Sequence, residues 1–268
     1  GTQSAGLTLT FTDGSKLDVI NAGNAAKSHD ISVPGGAGEA SITVTTGNNA
    51  QTGLDFFGAG TAIGVEWHSA ADFMADGLKI GASVSADDGA AADASAAVES
   101  SWGLGATYVT SAGDTAVTIG AGISESDWKD TDTAAPTGDN GFHIGFSAVT
   151  GNLTVAAGYA NGDKVIDNAT SDEREIVDNT VTKVGVKYVS GDVTLSIGMS
   201  SAAGKDSATL GTAGTKEDAV DSTDAGISYA VASGVTANLG WKSVDSQEAG
   251  VSETSGGTSW YIGANMAF

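Results

Sequence analysis

Apolar and polar residues alternate with a period of two along most of the chain, the pattern of a strand with one apolar and one polar face. In the last nine residues Trp260, Ile262, Ala264, Met266 and Phe268 share one parity, and Tyr261, Gly263, Asn265 and Ala267 the other. Residues 153–160 set Leu153, Val155, Ala157 and Tyr159 against Thr154, Ala156 and Gly158, and 193–199 repeat the pattern with Val193, Leu195, Ile197 and Met199. The same reading places strands at about 5–12, 15–21, 28–33, 39–46, 61–69, 77–85, 101–110, 115–124, 141–150, 153–161, 181–190, 193–202, 223–232, 235–245 and 257–268. Most are about nine to eleven residues long, the length of a tilted membrane crossing. Gly151-Asn152, Gly191-Asp192, Ser111 to Asp114, Ser233-Gly234, Thr12 to Ser15 and Pro34 to Gly38 are short turns, whereas 86–100, 125–140, 161–180, 202–222 and 246–256 are long polar connections. Short turns at one end and long loops at the other describe an up-and-down meander forming one domain over 1–268.

Composition narrows the function. The 268 residues hold 11 Lys and Arg against 33 Asp and Glu, a formal net charge of -22, so nucleic acid is excluded as a partner. No run of apolar residues is long enough for a spanning helix, and the absence of cysteine removes disulfides and thiolate chemistry. Gly1 to Ala5 lack a start Met, a basic stretch and an apolar stretch, so any export signal is expected to have been removed or to lie outside this chain. Glycine is abundant, at 39 residues, and many strands carry it on the polar parity, as at Gly81, Gly105, Gly120, Gly145, Gly158, Gly185 and Gly198, where it would permit curvature or bulges. No P-loop, dinucleotide fingerprint or Gly-x-Ser-x-Gly elbow is present, and His29, His68 and His143 are scattered singly, so neither an enzyme nor a metal centre is expected.

Parity alone fits a soluble β-sandwich or solenoid, with its polar face outside, as well as a membrane barrel with its apolar face outside. Closure favours the barrel, because some fifteen antiparallel strands in one meander exceed what an open twisted sheet sustains. The segment Trp260-Tyr-Ile-Gly-Ala-Asn-Met-Ala-Phe268, apolar at alternate positions and ending on Phe, resembles the terminal strand of Gram-negative outer-membrane proteins. The strand and loop rhythm, with Ser101-Trp-Gly-Leu-Gly-Ala-Thr-Tyr108 and Asn152-Leu-Thr-Val-Ala-Ala-Gly-Tyr159, is similar to that of sixteen-stranded, trimeric general-diffusion porins of the small alphaproteobacterial kind.

That resemblance implies an all-β antiparallel transmembrane β-barrel of about sixteen strands in the cell outer membrane; with about fifteen in this chain, either the family's first strand lies upstream of Gly1 or residues 1–46 divide into strands differently. It implies a homotrimer whose partners are the lipid bilayer, lipopolysaccharide and small hydrophilic solutes. It also implies a pore narrowed by a loop folded inside, for which 47–60, carrying Asp55, is the candidate. Pore-lining candidates of lumen parity are Lys16, Glu66, His68, Lys79, His143, Lys183, Lys187 and Lys242. The family's arginine cluster has no counterpart, since Arg174 lies in an expected outer loop, and acidic mouths without fixed guanidinium groups should favour cations. Trp67, Trp102, Trp241, Trp260, Tyr108, Tyr159, Tyr188 and Tyr229 read as interfacial girdle residues or as core. No cofactor is expected beyond Ca2+ at the acidic outer loops around Asp87-Asp88, 127–132 and 172–175. The competing reading is a secreted or surface acidic β-rich adhesion protein with calcium-binding loops.

Overall fold

The computed structural model describes residues 6–19, 24–36, 50–57, 64–86, 98–128, 138–168, 173–208, 217–247 and 254–267. Thirteen strands form one antiparallel sheet in chain order: β1 Leu7–Thr10, β2 Lys16–Val19, β3 Gly64–His68, β4 Leu78–Ser85, β5 Val98–Ala112, β6 Thr115–Trp128, β7 Gly138–Thr150, β8 Leu153–Asn168, β9 Glu173–Ser190, β10 Val193–Ala208, β11 Glu217–Ala232, β12 Val235–Gln247 and β13 Thr254–Met266. Among the described residues β1 and β13 are the two edges and do not pair with each other. No helix there is long and apolar enough to cross a membrane.

The turns follow from local chemistry. Gly113-Asp114, Gly151-Asn152 and Gly191-Asp192 each put glycine first in a two-residue loop, at φ of 60°, 55° and 57°. A positive φ at the first position alone is the type II′ hairpin, whose twist matches that of the flanking strands. A Cβ at these three positions would meet nothing within 4 Å, so the dihedral rather than crowding calls for glycine. Odd-to-even connections from β5 onward are two residues each, while even-to-odd ones span four to nine.

The faces are sorted with the apolar side out. Ile144 on β7 is 50% exposed, whereas the adjacent His143 is 1% exposed. Leu104, Ile119, Phe146, Val155, Val184, Ile197, Ile227 and Leu239 share the exposed face, and Ser83, Ser101, Ser124, Asn179, Asp218, Asn238 and Ser246 are buried on the other. On β5 the exposed band runs between Trp102 and Tyr108, about 20 Å along the strand. Tyr188 and Tyr229 lie near the short turns, and Trp241 faces Trp260 at 6.4 Å between ring centroids.

Three sequence expectations need correction. Strands β5 to β13 are 13 to 18 residues long rather than nine to eleven, because they continue past the apolar band into segments whose outer face is largely polar and whose inner face carries buried residues such as Val177 and Val220, so the parity of the band no longer holds. In that extension Glu125, Asn140, Asp163, Asp178 and Lys205 form one cross-strand row on the outer face. Arg174 accordingly falls within β9 instead of a loop. Finally, 28–33 is not a strand, nor is 34–36 part of a hairpin. Asn24 caps a single helical turn, α1 Ala25–Ser28, by accepting from the Ala26 N–H at 2.9 Å, and residues 29–36 then run without strand pairing. Alternating Ile31 and Val33 with Asp30 and Ser32 reports an extended chain lying on a surface, not a hydrogen-bonded ladder. The expected strand 39–46 lies outside the described residues.

Candidate functional site

Two stretches of the β2–β3 connection lie against the inner face of the sheet. Residues 24–36 cross it from β4 to β11. The Ala25 N–H donates to Ser83 Oγ at 2.9 Å, Ala26 packs at Gly122, Ile31 at Gly120 and Gly145, Pro34 at Gly185 and Gly198, and Gly36 at Ala225. Residues 50–57 run back the other way, with Ala50 at Gly204, Leu54 at Gly158 and Phe57 at Gly141. A Cβ on Gly145 would lie 2.9 Å from the Ile31 Cβ, and one on Gly141 2.8 Å from the Phe57 ring. The polar-parity glycines thus make room for an inner segment rather than for the curvature or bulges expected from the sequence.

Apolar contacts hold the returning stretch. Leu54, Phe56 and Phe57 are buried in one cluster with Ala26, Ala160, Val181, Ala202, Val220 and Val244. Ala160, Val181, Ala202 and Val220 are successive cross-strand partners on the inner face. Full burial of a phenylalanine such as Phe57 contributes about 1.5–3 kcal/mol. The Gln51 N–H donates to Asn179 Oδ1 at 2.9 Å and fixes the start of the stretch. Apolar residues of lumen parity on β8 to β12, such as Ala160, Val181 and Val220, are the sequence signal for this contact.

Polar anchors surround α1. The His143 Nε2–H donates to the Ala26 carbonyl at 2.7 Å, which leaves Nδ1 facing Asp30 Oδ1 at 3.9 Å. A carbonyl can only accept, so the Nε2 assignment follows from its partner. Burial raises the Asp30 pKa against the opposing pull of His143, and burial lowers that of His29, whose Nδ1 contacts Thr107 Oγ1 at 2.7 Å. Ser28 Oγ donates to Glu66 at 2.8 Å, and His68 contacts Asp18 at 2.9 Å. Asp55 pairs with Lys27 at 3.5 Å on the inner segment itself. The sequence reading missed Asn24, Lys27 and Asp30.

The structure separates the sequence-derived lumen candidates into groups. Lys16, His68 and Lys79 line a cavity of about 760 Å³ toward the short turns together with Asp18, His29 and Thr107. Lys183 and Lys242 line another of about 320 Å³ between the inner segment and β9 to β12. Glu66 and His143 are buried as anchors, and Lys187 is exposed near the β9–β10 turn. Higher on the inner face Asp139 is fully buried, accepting from Lys164 Nζ and the Val165 N–H, both at 2.7 Å. Among the described residues no three His, Asp or Glu side chains gather to hold a metal ion, and the acidic loop segments 87–88, 129–132 and 172 lie outside them.

An antiparallel meander, apolar outside and polar inside, with a chain segment laid on its inner wall, has the fold of porin-type β-barrels, its edge strands β1 and β13 unpaired among the described residues. The particular likenesses are to solved outer-membrane structures. OmpF of Salmonella typhi in complex with daunomycin matches with a TM-score of 0.63 at 16% identity, over 98% of this chain and 77% of that one. OmpT, an outer membrane protein of Vibrio cholerae, matches at 0.60 and 15%, over 98% and 79%. A porin refined at 1.8 Å resolution matches at 0.59 and 17%, over 98% and 90%. The sequence matches no protein-family model and no curated protein.

Proposed function

We propose that this chain forms a water-filled channel in an outer membrane for passive diffusion of small hydrophilic solutes, with no chemistry performed on them. One observation carries the reading: the large apolar side chains are exposed on the outer face while polar side chains line the inner face. A soluble acidic β protein would place its polar face in water, so this sorting favours lipid outside and water inside. The inner segment 24–36 and 50–57 is the constriction in this reading, and the barrel assembles as a homotrimer in contact with lipopolysaccharide. Calcium at the acidic outer loops belongs to the same proposal.

The channel favours cations. A net charge of -22 with acids such as Glu125, Asp163, Asp178, Asp221 and Asp245 toward the long-loop end lowers the local anion concentration at that mouth. Purified protein in a planar bilayer is expected to give stepwise conductance, with a reversal potential under a KCl gradient of the sign set by K+ permeation. Absence of conductance would remove the channel reading, and a reversal potential set by Cl− would remove cation preference alone.

A further inference from the structure

The cavity of about 320 Å³ is bounded on one side by Val33, Pro34, Gly35 and Thr52 and on the other by the inner face of β9 to β12, including Lys183, Asp224 and Lys242. Asp224 and Lys242 are direct cross-strand partners on the same face, where Cβ atoms stand about 5 Å apart. Neither makes an ion pair or a side-chain hydrogen bond among the described residues, so both present their charge to the cavity. The Asp224 carboxylate is seated against two glycines: a Cβ on Gly35 would lie 2.9 Å from Oδ2, and one on Gly198 2.6 Å from Oδ1. A side chain at either place would push the carboxylate away. Lys183 pairs in register with Ser200, whose hydroxyl lies 3.0 Å from that of Ser222, and both hydroxyls border the cavity.

We propose that this cavity is a solute subsite for acidic α-amino acids, in which Lys183 and Lys242 take the two carboxylates and Asp224 takes the ammonium group. The proposal rests on the channel reading and names a solute class for it. A simple cation meets two ammonium groups here, and a plain dicarboxylate leaves Asp224 beside a second anion without a donor. A solute with two carboxylates and one ammonium group matches all three charges, and such matching sets specificity more than area does. Another acid nearby is Asp30 on the inner segment, whose burial disfavours its charge and whose field includes Asp55 and Lys183. The volume is at the lower end of the roughly 300–1,000 Å³ of small-molecule sites, which suits one amino acid rather than a peptide.

Saturation-transfer NMR on detergent-solubilised protein, titrated with L-glutamate and separately with glutarate, reads the subsite without requiring conductance. L-glutamate is expected to bind about fivefold more tightly than glutarate, with Asp224→Asn abolishing the difference. Lys183→Met and Lys242→Met are each expected to weaken glutamate about fivefold, with the heat-modifiable gel mobility of the wild type kept as the sign of folding. Equal affinity for the two ligands, unchanged affinity in both lysine variants, or no glutamate binding at tens of millimolar overturns the proposal. Bilayer conductance of the same preparation separates the failures: conducting channels that do not bind glutamate refute the subsite alone, and binding without conductance refutes the channel alone.

Discussion

Gly145 shows what single residues contribute to the pore. Its position would put a Cβ 2.9 Å from the Ile31 Cβ and 3.1 Å from the Ala157 carbonyl oxygen, so Gly145→Val must displace residues 29–36. We expect larger single-channel conductance with the sheet intact. Gly113→Val is the contrast, since it meets no neighbour but holds φ at 60°; it should cost about 1–2 kcal/mol of stability and leave conductance unchanged. Asp30 gives the pH dependence. Its raised pKa means that burial favours the protonated form, so its contribution is fully present below the ordinary carboxylate pKa and is lost as pH rises through the raised value. Relative to wild type, Asp30→Asn should therefore become progressively more stable as pH rises through that range, measured by thermal unfolding in detergent; a pH-independent difference would contradict the assignment. Glycine on the polar parity was legible in the sequence, but its purpose was not, because the atoms that need the space lie more than fifty residues away in the chain.

For the strands, the sorting of faces makes the testable statement. Ile144 stands in the exposed band of β7, and Thr194 lies on the inner parity of β10. Ile144→Lys should destabilise the lipid-inserted protein by about 2–4 kcal/mol if it lies near the bilayer midplane, whereas Thr194→Lys should change ion selectivity with little loss of stability. Unfolding by denaturant in lipid vesicles distinguishes them, and equal costs would mean that the apolar face is not in lipid. Strands within the apolar band were read with nearly correct limits, since alternation is strong there. Their extensions escape the pattern because beyond the band the outer face turns largely polar while inner residues such as Val177 and Val220 are buried, so the parity that marks the band is lost. The run 28–33 failed for the opposite reason: its alternation is real but reflects contact with a wall of glycines.

Over the whole molecule charge is distributed unevenly. Acids concentrate toward the long-loop end, while Lys16, Lys79 and Lys187 lie on the inner parity nearer the short turns. A selectivity that arises from a charged mouth depends on screening, and the Debye length falls from about 30 Å at 0.01 M to about 3 Å at 1 M salt. The cation-to-anion permeability ratio should accordingly fall toward unity over that range. A ratio independent of salt would point to fixed groups at the constriction instead.

Alternation, glycine-led turns and the order of short and long connections determined the antiparallel meander from the sequence, because each depends on residues adjacent or two apart. They also determined which residues share a face. Only the tertiary structure decided that the apolar face is the exposed one, that the β2–β3 connection crosses the interior twice, and that Lys183, Asp224 and Lys242 border one cavity. These are relations between strands and a segment distant in sequence, fixed by how the sheet curves around its contents, and no local pattern encodes them.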